Sequence, residues 1–136
     1  MFCNIIRRSV STLQTKEQHF LIGIHFHHIY SSKKKKEIVK QATDNSLYGA
    51  VRFGRPGRIF IQGPIERVEG FVKVVRNLHW QQMSVRMKIP IQSGFKEFVQ
   101  FDDDGTLLEY MREFHMEKYF FELSGLKDWS DRKQKP

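Results

Sequence analysis

The sequence predicts an α+β domain of the ferredoxin-like kind: a β-α-β-β-α-β sandwich with both helices on one face of an antiparallel sheet, then a further strand and two short helices. Three observations predict it. Residues 51–62 read as strand, turn, strand, with the β-formers Val51 and Phe53, the turn Gly54-Arg55-Pro56-Gly57, and a second β run over 58–62. Gly63-Pro64 then opens a helix in which Val68, Phe71, Val72, Val75 and Leu78 recur at helical spacing as one apolar stripe. Residues 83–89 alternate, Met83, Val85, Met87 and Ile89 inward, Ser84, Arg86 and Lys88 outward. A hairpin feeding a helix is half of a split βαβ unit.

The other elements follow in chain order. Residues 1–18 place Phe2, Ile5, Ile6, Val10 and Leu13 along one helical face, with Arg7, Arg8 and hydroxyl residues between them and no acid before Glu17. That composition is the pattern of a mitochondrial transit peptide; a short terminus outside the fold is the plainer alternative. Residues 19–30, rich in β-branched and aromatic side chains, predict the first strand. His25 and His27 point the same way, but two imidazoles with no nearby Cys, Asp or Glu are an incomplete ligand set. Histidines that cap the strand end fit better, and no metal is expected. Ser31-Ser32 caps a helix that opens with Lys33, Lys34, Lys35 and Lys36 and buries Ile38, Val39 and Ala42. Pro90 ends the 83–89 strand, and residues 95–101 form another. Asp102-Asp103-Asp104 caps a helix carrying Leu107, Leu108, Met111 and Phe114; a last helix holds Tyr119, Phe120 and Leu123 and ends at Ser124-Gly125. The expected organisation is an extension over 1–18, one domain over 19–126 and a polar tail over 127–136.

Composition narrows the class. With 136 residues, 40% of them apolar, the chain is long enough for one real core. A single cysteine, Cys3, excludes an internal disulfide framework, and no apolar run approaches a membrane span. The expected location is intracellular: mitochondrial if residues 1–18 act as a leader, otherwise nuclear or cytoplasmic. The formal net charge is +8, with the basic excess in residues 1–100 and an acidic balance after them. A basic body suits a polyanion, most often nucleic acid. Four lysines in a helix's first turn oppose its macrodipole, and a sequence that tolerates this can hold them for an anion.

Several of these stretches resemble one family. His27-His28-Ile29-Tyr30 followed by Lys33, Lys34, Lys35 and Lys36, the hairpin Phe53-Gly54-Arg55-Pro56-Gly57 with Ile59-Phe60-Ile61-Gln62-Gly63-Pro64, Leu78-His79-Trp80, and the aromatic run from Phe114 to Leu123 carry the resemblance. The family is the domain that follows the RWD domain in RWD-domain-containing proteins and forms the C-terminal domain of a tri-snRNP splicing factor. Gln62 stands where that family usually has Glu. The resemblance spans about residues 19–126 and implies the fold; its splicing-factor member implies RNA as a partner, its RWD members a protein partner.

The expected function is therefore a non-catalytic RNA-binding module, with a protein–protein interaction module as the alternative. RNA, structured or single-stranded, would be held mainly through its phosphates by Lys33, Lys34, Lys35, Lys36, Arg55, Arg58, Arg86 and Lys88. The 58–62 strand lacks the aromatic pattern of an RNA-recognition motif, leaving Phe53 or Phe60 as stacking side chains. Gly54-Arg55-Pro56-Gly57 could cradle a phosphate by fold-level analogy with small ferredoxin-like acylphosphatases. No nucleophile elbow, phosphate loop or dinucleotide fingerprint occurs, so the expectation is no enzyme, no cofactor and no small-molecule substrate.

Overall fold

A computed structural model describes residues 17–125. Strand β1 (His19–Phe26) leads to helix α1 (Ser32–Asp44). Strands β2 (Tyr48–Arg52) and β3 (Gly57–Pro64) form the hairpin, and α2 (Ile65–Arg76) follows. Then come β4 (Met83–Ile91), β5 (Phe98–Phe101), α3 (Asp104–Glu113) and α4 (Glu117–Ser124). The five strands make one sheet in the order β4-β1-β3-β2-β5. All neighbours are antiparallel except β2 and β5, which run parallel. This is the predicted ferredoxin-like core with one strand added beside β2. The transit-peptide expectation, up to residue 16, and the 127–136 tail lie outside the described residues.

β1 and β3 read as nearly unbroken apolar runs because they lie inside the sheet and both faces are covered. On one face Ile24, Phe26, Ile59 and Ile61 pack against Ile38 of α1 and Phe71 and Val75 of α2. On the other, Leu21, Phe60 and Met87 pack against Leu107 and Met111 of α3 and Phe120 and Leu123 of α4. The C-terminal helices thus add a third layer. Asp103 caps α3 by accepting from the Thr106 amide at 2.8 Å, and Gly125, at φ 79°, closes α4 in the left-handed region. Gln62, 3% exposed, accepts from the Phe95 amide at 2.7 Å and donates to the Phe95 carbonyl at 3.4 Å. An ionised carboxylate could not donate, so only an amide at this position makes both bonds to Phe95.

The structure corrects several boundaries. β1 ends at Phe26, not residue 30, and α2 stops at Arg76, before Leu78. Residues 95–97 precede β5, and β4 runs through Pro90 to Ile91. β4 is an edge strand, where a missing N–H costs no ladder bond. The alternation predicted for 83–89 also fails in its middle. Gly23 pairs with Met87 and Ile24 with Val85, so Arg86 is an inserted residue. Such a bulge shifts the side-chain alternation by one. Met83 accordingly packs on the α1–α2 side, Met87 and Ile89 on the α3–α4 side, and Val85, expected in the core, is 37% exposed.

Candidate nucleic-acid interface

Five of the eight predicted cations gather at one end of the fold. β1 ends beside the hairpin, with Phe26 opposite Gly57. The chain then makes one more pairing, in which Ile29 donates to the Gly54 carbonyl at 2.8 Å and Gly54 donates back at 3.0 Å. This pair places the hairpin tip, with exposed Arg55, at the end of the sheet from which α1 departs. Ser31 caps α1 by accepting from the Lys34 amide at 3.2 Å, and the first turn holds no acid. Lys33 and Lys36 are exposed. Lys34 and Lys35 are half-buried because their stems lie on rings: Lys34 Nζ is 4.4 Å from the Trp80 ring centroid, Lys35 Nζ 5.2 Å from that of Phe53. Lys34 also donates to the His79 carbonyl. Trp80 is itself fixed, donating to the Val75 carbonyl at 2.8 Å and meeting Phe26 edge-on at 4.6 Å.

The predicted stacking side chains are corrected. Phe53 is 6% exposed and Phe60 is fully buried, so neither can take a base. Tyr30 can: it is 56% exposed and stacks on His28 at 4.7 Å with planes 18° apart. Between Tyr30, Ser31, Lys34 and Trp80 lies a narrow cleft of about 50 Å³. Among the described residues, no group of three or more His, Cys, Asp and Glu is placed to hold a metal ion. No helix there is long and apolar enough to cross a membrane.

The other three predicted cations are elsewhere. Arg58 is 7% exposed, on the sheet face that α3 and α4 cover. Its Nε and Nη2 donate to the two Asp104 carboxylate oxygens at 3.0 and 3.3 Å, and its guanidinium carbon lies 5.2 Å from the Phe120 ring centroid. It is a structural arginine, not a free phosphate contact. Arg52, opposite Arg58 in the ladder, places Nε 3.3 Å from the same Asp104 oxygen. Arg86 and Lys88 do not share a strand face, because the bulge separates them. Arg86 donates to the Leu123 carbonyl of α4 at 3.1 Å, and Lys88 meets Glu69 of α2 at 3.2 Å.

His25 lies opposite Arg58 in β1. Its pKa falls below the ordinary 6.5, first because burial disfavours the cation and then because Arg86, Arg58 and His27 repel it. The unfolded chain therefore takes up this proton at a pH where the folded chain does not. Stability is complete well above 6.5 and declines as pH falls through that value towards the lowered folded pKa. Melting temperatures recorded between about pH 8 and about pH 5 should fall on acidification, and His25→Gln should flatten the decline. An unchanged profile in the variant would assign the acid sensitivity to other groups.

No family model matches the chain. Among solved structures, it is similar to an acylphosphatase from Bacillus subtilis, at 18% identity and TM-score 0.51, over 60% of this chain and 97% of that one. Full-length HypF in a phosphate- and nucleotide-bound form matches at 18% identity and TM-score 0.48, over 65% of this chain and 12% of HypF. An acylphosphatase from Coxiella burnetii matches at 13% identity and TM-score 0.48, over 63% of this chain and 98% of that one. The fold is acylphosphatase-like. The expectation that the chain is not an enzyme is corrected by this likeness: the Bacillus subtilis protein with this fold is an enzyme. The absence of familiar sequence motifs was no ground for excluding catalysis, since motifs belong to particular folds and this fold carries an activity none of them marks.

Proposed function

We propose that the end of the sheet formed by the α1 start and the β2–β3 hairpin binds the phosphate backbone of single-stranded RNA. Lys33, Lys34, Lys35, Lys36 and Arg55 supply the charge, and Tyr30 takes an unpaired base. The gathering of these five cations beside an acid-free helix N-terminus carries the reading. The first-turn amides that Ser31 leaves uncapped point the same way and favour an anion. The rings of Trp80 and Phe53 hold Lys34 and Lys35 close to the surface, so less freedom is lost on binding. The resemblance to the splicing-factor domain points to the same partner.

The test is oligouridine affinity across a salt series. Five phosphate contacts on a single strand give a slope of log K against log salt of roughly −3 to −4. Reversing Lys33 and Lys36 together to Glu should weaken binding at least about tenfold for every sequence and flatten the slope by about 1.4. Folding should survive, because these exposed lysines oppose the helix dipole. A wild-type chain with no affinity at low salt overturns the proposal, as does tight, salt-insensitive binding.

The cleft beside Lys34 and Ser31 favours a second reading, in which a small phosphorylated ligand occupies the same end. Given the acylphosphatase likeness, that ligand would be an acyl phosphate and the reaction its hydrolysis. Turnover of benzoyl phosphate by wild type, lost when Lys34 is replaced by Ala, would support it over the RNA reading.

A further inference from the structure

A groove of about 510 Å³ runs between α1 and β5, away from the Tyr30 cleft. Phe53 and Val39 supply its apolar floor, Lys35, Lys36 and Lys40 one wall, and Gln100 and Asp102 the other. β5 is the outermost strand on this side of the sheet. Gly49 donates to the Glu97 carbonyl at 2.9 Å and Phe53 to the Phe101 carbonyl at 3.0 Å, so residues 97 and 101 turn their carbonyls towards β2. Peptide groups alternate along a ladder, so Phe98 and Gln100 turn their N–H and C=O groups away from β2, to the open edge. Gln100 sits opposite Val51, whose side chain lies in the α1–α2 core, so its side chain faces the groove while its peptide groups face outward.

We propose that this groove and edge dock an extended, acidic segment of a protein partner. The segment would add a short strand to β5 through Phe98 and Gln100 and seat an aliphatic side chain over Val39 and Phe53. Its carboxylates would meet Lys35 and Lys36. Charge complementarity selects this occupant. Three ammonium groups face one carboxylate, Asp102, across the groove, and among the described residues Lys40 alone of the three has an acid partner, Asp44 at 3.1 Å. The apolar floor and the outward peptide groups have no counterpart in a phosphate backbone, which favours a peptide over RNA at this site. This inference shares Lys35 and Lys36 with the RNA reading but does not rest on it, since that reading needs neither Val39 nor Gln100.

The experiment titrates the full-length chain, labelled with nitrogen-15, with a capped octapeptide of four Glu-Val repeats. Saturable shifts at the Phe98 and Gln100 amides are expected, with at least tenfold weaker binding for the Lys-Val counterpart. Gln100→Pro, which removes an outward N–H and leaves the β2 ladder intact, should weaken the peptide at least tenfold and leave oligouridine affinity unchanged. If that variant melts early, Val39→Gln, which puts a neutral polar group in the floor, makes the same comparison. Absence of shifts overturns the proposal, as do equal shifts with the Lys-Val peptide or undiminished binding in the variants. Shifts at these amides with oligouridine but not with the peptide would assign the groove to RNA and overturn it too.

Discussion

Replacing Asp104 by Ala should destabilise the domain by about 3 kcal/mol, against a total of roughly 5 to 15 for a domain of this kind. Asp104 stands at the start of α3, where a carboxylate already favours the helix dipole. Its two oxygens take both arms of the Arg58 fork, and Arg52 shares one of them. Two guanidinium groups thus rest on one carboxylate, and Arg58 is nearly excluded from water. Removing the carboxylate leaves a buried cation unpaired, a loss of about 3–5 kcal/mol at fully buried sites. The side chain of Asp104 is 37% exposed, so the lower end applies. Arg58→Met should do far less damage. It removes the buried charge, keeps contact with Phe120, and leaves Asp104 to Arg52 and water. The double variant should regain most of the stability lost in Asp104→Ala. Thermal melts of the four proteins form the cycle, with roughly 10 °C expected for Asp104→Ala. A loss under about 1 kcal/mol would reduce the cluster to an ordinary surface pair.

Arg58 also shows where the sequence was legible and where it was not. The strand-turn-strand pattern, the α2 stripe and both polar caps are local signals, and each lies close to where the residues place it. The second covered face is non-local. Arg58, Phe60 and Gln62 alternate on one side of β3, and that side is buried only because α3 and α4, more than forty residues later in the chain, fold back over it. Phe60 was the available hint: a strand face carrying a large aromatic needs a cover, and the apolar stripe from Leu107 to Met111 was the cover to hand. The bulge at Arg86 left no such trace, because an inserted residue in an alternating run looks like the run itself. Of the predicted cations, Lys33 and Lys36 at the start of α1 and Arg55 at the hairpin tip stayed exposed, since a helix start and a turn face solvent, while Lys34 and Lys35 beside them lie half-buried on rings. A strand expected through residue 30 hides Tyr30, which in the structure lies beyond β1, where a ring can stand free.

Gly49→Ala should have the largest effect of any single methyl group, a loss of roughly 4 kcal/mol or more. β2 joins the ferredoxin-like core to the added strand: Gly49 faces Ile61 of β3 and Phe98 of β5. Its φ of 151° is one that L side chains rarely adopt. A β-carbon there would lie 1.9 Å from the Phe60 carbonyl oxygen, which belongs to the backbone of the neighbouring strand. No side-chain rotation relieves that contact, so β2 would have to move off β3 and give up ladder bonds on both its edges. The displacement would carry Phe53 and the hairpin tip with it, loosening the seat of Lys35 and the position of Arg55. Oligouridine affinity should then fall with the folded fraction, and cooling should restore part of both. Gly70→Ala is the matched control. Gly70 sits in α2 with nothing within 4 Å of its β-carbon position, so alanine there should stabilise by about 0.5 to 1 kcal/mol through helix propensity. Urea melts of the two variants should therefore shift in opposite directions. A Gly49→Ala midpoint within experimental error of wild type would mean that β2 can yield to a methyl group, and that the seam between core and added strand is loose.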